Sequence, residues 1–174
     1  MHILLNVTGF IVAYIWGDWK NWKKYYPTYL FFIGGDLFFN LISYNYRLWE
    51  YKETLAFSNL LDGHLVISLF IMAVGYSSTI LIYLGNFPTQ RYKQFLWILL
   101  WILLFSFMEF INKHYFDIIE HHHGWSVYWS LLFNIVMFPV LKIHEEHPFL
   151  AWIISILFFI FLYNQFDFPK DSFL

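Results

Sequence analysis

The sequence predicts an all-α integral membrane protein, a helical bundle with six transmembrane helices. Three observations carry that prediction. Apolar and aromatic residues make up 60% of the 174 positions and charged ones only 13%, where soluble domains carry roughly 25% charge. A chain this short cannot hide so much apolar surface from water. The apolar residues fall in runs of about 20, the length a helix needs to cross hydrocarbon. Aromatics reach 25%, with 9 Trp and 13 Tyr, and Trp and Tyr collect at the two membrane interfaces.

The first run, residues 2–19, has no Lys or Arg ahead of it and no small-residue cleavage site around Ala13-Tyr14-Ile15. It therefore reads as a retained span rather than a secretory leader; if it does not cross, the bundle has five spans. The second, 26–46, opens on Tyr26-Pro27, where proline is tolerated because an N–H in a first helical turn has no partner to lose. The third, 65–84, runs into Gly85-Asn86-Phe87-Pro88, with Gly85 expected to form a left-handed cap and Pro88 to stop the helix. The fourth covers 95–112, after which polarity rises. The fifth, 125–143, contains Pro139, expected to kink it or end it early. The sixth, 149–166, is the most uniformly apolar. These runs leave only short connections, so residues 1–174 read as a single polytopic domain. Counted by alternating side, Lys20, Lys23, Lys24, Arg91, Lys93 and Lys142 face Arg47, Lys52, Lys113 and Lys170, and the positive-inside rule then places both termini outside.

Polar residues inside spans are informative because an acid near mid-membrane costs about 2.5 to 3.5 kcal/mol on insertion scales. Asp36 holds that position in the second span. Asn40, Ser43 and Arg47 follow it at i+4, i+7 and i+11, which is one helical face. Gly34 and Gly35 beside it predict close approach of another helix. In the fourth span Ser106, Glu109, Lys113 and Asp117 form a similar stripe, and in the fifth Ser126, Ser130 and Asn134 repeat every four residues. Glu109 is expected either to join a neutralised interfacial ladder with Lys113 or to face Asp36 or Arg47 across a shared cavity. Asp36, Asn40, Arg47, Glu109 and Asn134 are the candidate intramembrane polar cluster.

Histidine offers the remaining chemistry. His114, Asp117 and His121 fit one helical face at i, i+3 and i+7, with Glu120 beside them, and this donor set suits a borderline divalent transition metal. A second group, His144-Glu145-Glu146-His147, spaces its histidines three apart and so is not the zinc-protease H-E-x-x-H. The two groups lie on successive loops and are expected on opposite membrane faces. Zero cysteines exclude disulfides, thiolate metal centres and cysteine nucleophiles. A net charge of −2 excludes the basic face that nucleic acid requires. No phosphate-binding glycine loop or G-x-S-x-G motif occurs, and Asp62-Gly63-His64 alone is too little for a phosphotransferase motif.

The stretches His123-Gly124-Trp125, Tyr128 to Asn134, Met137-Phe138-Pro139 and His147 to Trp152 resemble an uncharacterised family of small multi-span proteins from spore-forming Gram-positive bacteria. Tyr26-Pro27-Thr28 and Gly35-Asp36-Leu37 are similar as well. The resemblance implies a multi-pass protein of the bacterial plasma membrane with no established activity, and it carries over no catalytic residue. In that family an acid stands where this chain has Asn134.

The sequence therefore predicts a non-enzymatic transport, sensing or assembly component embedded in the lipid bilayer. Its expected partners are a second copy or another membrane protein, with no cofactor. Two alternatives stand beside it: a metal-dependent membrane enzyme using His114, Asp117, Glu120 and His121, and a scaffold whose polar residues only specify helix pairing.

Overall fold

The computed structural model describes the backbone of residues 2–52, 63–169 and 172, and the side chains of 6–52, 66–169 and 172. Asp62 and Lys170 lie outside the described residues. Helix α1 (His2–Trp16) leads through a 3-10 turn (Trp19–Asn21) into α2 (Trp22–Ile42) and strand β1 (Trp49–Tyr51). Next come α3 (Gly63–Phe70), a π-helical stretch (Ile71–Tyr76) and α4 (Ser77–Tyr83), which run on as one rod. Helix α5 (Arg91–His114), strand β2 (Ile119–His121), α6 (Val127–Glu146) and α7 (Pro148–Gln165) complete the chain. The described residues are thus mainly helical, in six rods.

Four of those rods are long and apolar enough to cross a membrane: Val66–Tyr83, Arg91–His114, Val127–Glu146 and Pro148–Gln165. The apolar part described in α1, Asn6–Trp16, is shorter. Helix α2 has the length, 21 residues, but carries Lys23, Lys24, Asp36 and Asn40 and does not join that group. Leu96, Leu100, Leu103 and Phe107 of α5 and Ile153, Leu157, Ile160 and Phe161 of α7 are exposed. Each set follows helical spacing along one face, which suits lipid rather than water.

Contacts sort the helix ends into two groups. At one end Asp18 N–H donates to Leu81 O at 3.2 Å, Asn86 Nδ2 to Trp16 O at 2.8 Å and Trp97 Nε1 to Tyr83 O at 3.0 Å. Lys24 pairs there with Glu145 at 2.7 Å. The connections after α2 and α5 meet at the other end, where β1 and β2 pair antiparallel in the register Trp49↔His121, Glu50↔Glu120, Tyr51↔Ile119. The rods therefore alternate in direction. Helix α6 sits centrally against α5, α7 and α2, while α1 packs on the π stretch and α4. The main core holds Tyr83, Ile80, Trp101, Phe138 and Leu141, and the Tyr83 hydroxyl donates to Phe138 O at 2.8 Å.

Several expectations are corrected. Helix α5 does not continue to His121: it ends at His114, Asp117 takes φ 51°, and the chain then extends into β2. Asp tolerates the left-handed region better than most residues, and pairing with β1 satisfies backbone groups that a loop would leave open. Helix α6 does not end early but runs through Pro139 to Glu146. Among the described glycines only Gly124 has positive φ, so Gly85 makes no left-handed cap. Its role is close approach: a Cβ there would lie 2.6 Å from Asp18 Cβ and 2.3 Å from Leu81 O. At Gly34 and Gly35 no close packing is seen among the described residues, since an added Cβ would meet none of them within 4 Å.

Candidate polar site

In α2, Asp36 is only partly buried and both its carboxylate oxygens accept hydrogen bonds. Tyr76 Oη donates to Oδ2 at 2.8 Å, and Asn40 Nδ2 donates to Oδ1 at 3.1 Å and to the Asp36 carbonyl at 2.9 Å. Tyr76 is the last residue of the π stretch, a local insertion that re-aims a side chain relative to a regular helix. Phe32 stacks on its ring at 3.9 Å, which fixes the ring's direction.

The stripes of α5 and α6 face each other, with Glu109 as their hub. Ser130 Oγ donates to Glu109 Oε1, Trp125 Nε1 donates to Ser130 Oγ at 2.8 Å, and His121 Nε2 lies 2.9 Å from the same Glu109 oxygen. Below them Asn134 Nδ2 donates to Ser106 Oγ at 3.0 Å. The expected Glu109–Lys113–Asp117 ladder gives way to these partners, because Asp117 has left the helix and pairs with Lys52 at 2.6 Å. The His121 side chain is 2% exposed, and its Nδ1 has no hydrogen-bond partner among the described residues. Ser130 and His121 converge on one carboxylate oxygen. A nucleophilic serine needs the histidine between it and the acid, so this grouping holds Glu109 rather than activating Ser130.

Tyr51 of β1 lies within electrostatic reach of both carboxylates. Burial pushes its phenol well above the ordinary value, and the charges of Asp36 and then Glu109 act in the same direction. Asn40, Asp36 and Tyr76 form one hydrogen-bonded group, Glu109, Ser130, Trp125 and His121 a second, and Tyr51 lies in the electrostatic reach of both acids. Asn134 with Ser106 lies beside the second group on the α5–α6 seam.

The remaining candidates divide differently. Arg47 lies beyond the end of α2, off the Asp36 face, and pairs with Glu50 at 2.9 Å. The predicted metal quartet is not assembled: His114 is exposed, its Nδ1 3.1 Å from Phe110 O, while Asp117 and Glu120 both bind Lys52 and His121 belongs to Glu109. At the opposite end His144 is buried with its Nδ1 3.0 Å from Thr28 Oγ1, and Glu145 takes Lys24 and Lys142. Sequence reasoning missed Tyr51, Tyr76, Trp125, Glu50 and His122. The unbroken Glu120-His121-His122 run was a signal, but which strand it would pair with was not readable.

Fold and site define a class: a helical protein with membrane-capable helices and inward acidic and phenolic groups. Comparison with protein-family models, curated proteins and solved structures gives no match.

Proposed function

We propose that this chain is a non-enzymatic, six-span component of a bacterial plasma membrane, with both termini outside, that handles protons or small cations along the Asp36–Tyr51–Glu109 line. The observation that carries the reading is that α2 and α5 each hold an acid with partners from other elements, Asp36 with Tyr76 and Glu109 with Ser130 and His121, with Tyr51 of β1 in the electrostatic reach of both. A scaffold needs each polar group satisfied only by its immediate neighbour. Here both acids draw partners from other elements of the bundle, Tyr76 for Asp36 and Ser130 and His121 for Glu109. Ionisable groups within membrane spans cost enough that they are kept mostly for pathways of this kind.

The test is proton flux in proteoliposomes under an imposed potassium diffusion potential, read with an internal pH dye. Wild type is expected to exceed protein-free vesicles and Asp36→Asn to fall to their rate while keeping wild-type thermal stability. Equal flux in wild type and Asp36→Asn contradicts the reading. Loss of stability in Asp36→Asn with no wild-type flux would favour the scaffold.

A further inference from the structure

Outside the polar line, the β1–β2 pair places Glu50 directly opposite Glu120. His122 follows Glu120 by two residues and therefore emerges on the same face of the ribbon. Like charges directly opposite on paired strands destabilise the pairing, so this register needs a compensating group. Two cations meet one oxygen of each carboxylate. Arg47 Nη1 holds Glu50 Oε2 at 2.9 Å and Lys52 Nζ holds Glu120 Oε1 at 2.9 Å. The other oxygen of each carboxylate turns toward the imidazole: His122 Nε2 lies 3.2 Å from Glu50 Oε1 and 3.8 Å from Glu120 Oε2. All three donor atoms lie within 4.8 Å of one another.

We propose that Glu50, Glu120 and His122 bind a borderline divalent cation of the Zn2+ class, with water completing its coordination. Two ligands at zinc bond lengths in tetrahedral geometry stand ~3.4 Å apart, between the two separations seen here. The donor set, one imidazole and two carboxylates, suits first-row divalent ions. Arg47 and Lys52 take the role of the outer partners that orient ligating carboxylates. The three side chains are between 29% and 45% exposed, so an ion can enter and leave. An ion there ties the connection carrying Tyr51 to the connection carrying His121.

Titration calorimetry of the full chain in detergent with Zn2+ decides it. Wild type is expected to show one saturable site. Glu50→Gln, Glu120→Gln and His122→Gln should each weaken it by at least about tenfold, no less than the loss of an outer partner costs, and His114→Ala should leave it unchanged. No saturable site in wild type, unaltered affinity in the three variants, or loss in His114→Ala overturns the proposal. Should a variant not fold, wild type loaded with Co2+ gives the answer. Visible bands of an ion bound by imidazole and carboxylate support the site, and the spectrum of the aquo ion, as expected if a protonated His122 simply bridges the two glutamates, overturns it.

Discussion

At the end of the bundle where α1, α4 and α6 terminate, polar groups pair locally: Lys24 and Lys142 with Glu145, Asn21 and Tyr25 with Asp18, Thr28 with His144. At the β1–β2 end the same residue types lead inward, from His121 to Glu109 and through the reach of Tyr51 to Asp36. The first end closes on itself and holds helices together. The second spends desolvation on groups that helix pairing alone does not need, and a polar residue's worth to function follows from where its chain of partners leads.

The largest expected effect comes from removing the hub. Glu109→Ala leaves Ser130 Oγ and His121 Nε2 without their acceptor, at about 1–3 kcal/mol for each buried group left unsatisfied. Thermal unfolding in detergent should register that loss, and proton flux should vanish with it; retained flux would break the contrast between the two ends. Thr28→Val at the opposite end leaves one buried group, His144 Nδ1, without its partner, so it should cost about 1–3 kcal/mol, less than the loss of the two at Glu109, and leave flux at the wild-type value. A fall in its flux would show that the closed end also serves the pathway. The smallest effect is at Asp18. The Asn21 side chain first, and Tyr25 with it, hold its carboxyl below the ordinary 3.8. A depressed value means stability that is full above 3.8 and lost as pH falls through the lower folded value. The unfolding temperatures of wild type and Asp18→Asn should therefore converge below that pH.

The helices were legible because length and apolar content suffice to mark a membrane-length rod, and the stripes Ser106–Glu109 and Ser130–Asn134 were each legible because a helix repeats every 3.6 residues; that these two stripes meet, rather than Glu109 facing Asp36 or Arg47, was not. What escaped depended on non-local pairing. Arg47 left the Asp36 face because α2 ends at Ile42, a boundary that no proline or glycine announces. His121 reached Glu109 through a strand whose partner is some 70 residues earlier in the chain. Tyr76 gained Asp36 through a π turn, and the sequence Ile71 to Tyr76 carries no mark of one.

The proposed pathway requires the Asp36 face of α2 to meet water and its neighbouring face to meet lipid. The chain has no cysteine, so single substitutions report without background. Asn40→Cys and Leu37→Cys in sealed proteoliposomes, treated with a membrane-impermeant methanethiosulfonate, compare the polar line with an outward position that is 40% exposed on the bundle surface. Thiols react as thiolates, which form in water and not in hydrocarbon. Modification of Asn40→Cys with protection of Leu37→Cys is expected of that pathway; protection of Asn40→Cys with modification of Leu37→Cys would rule it out.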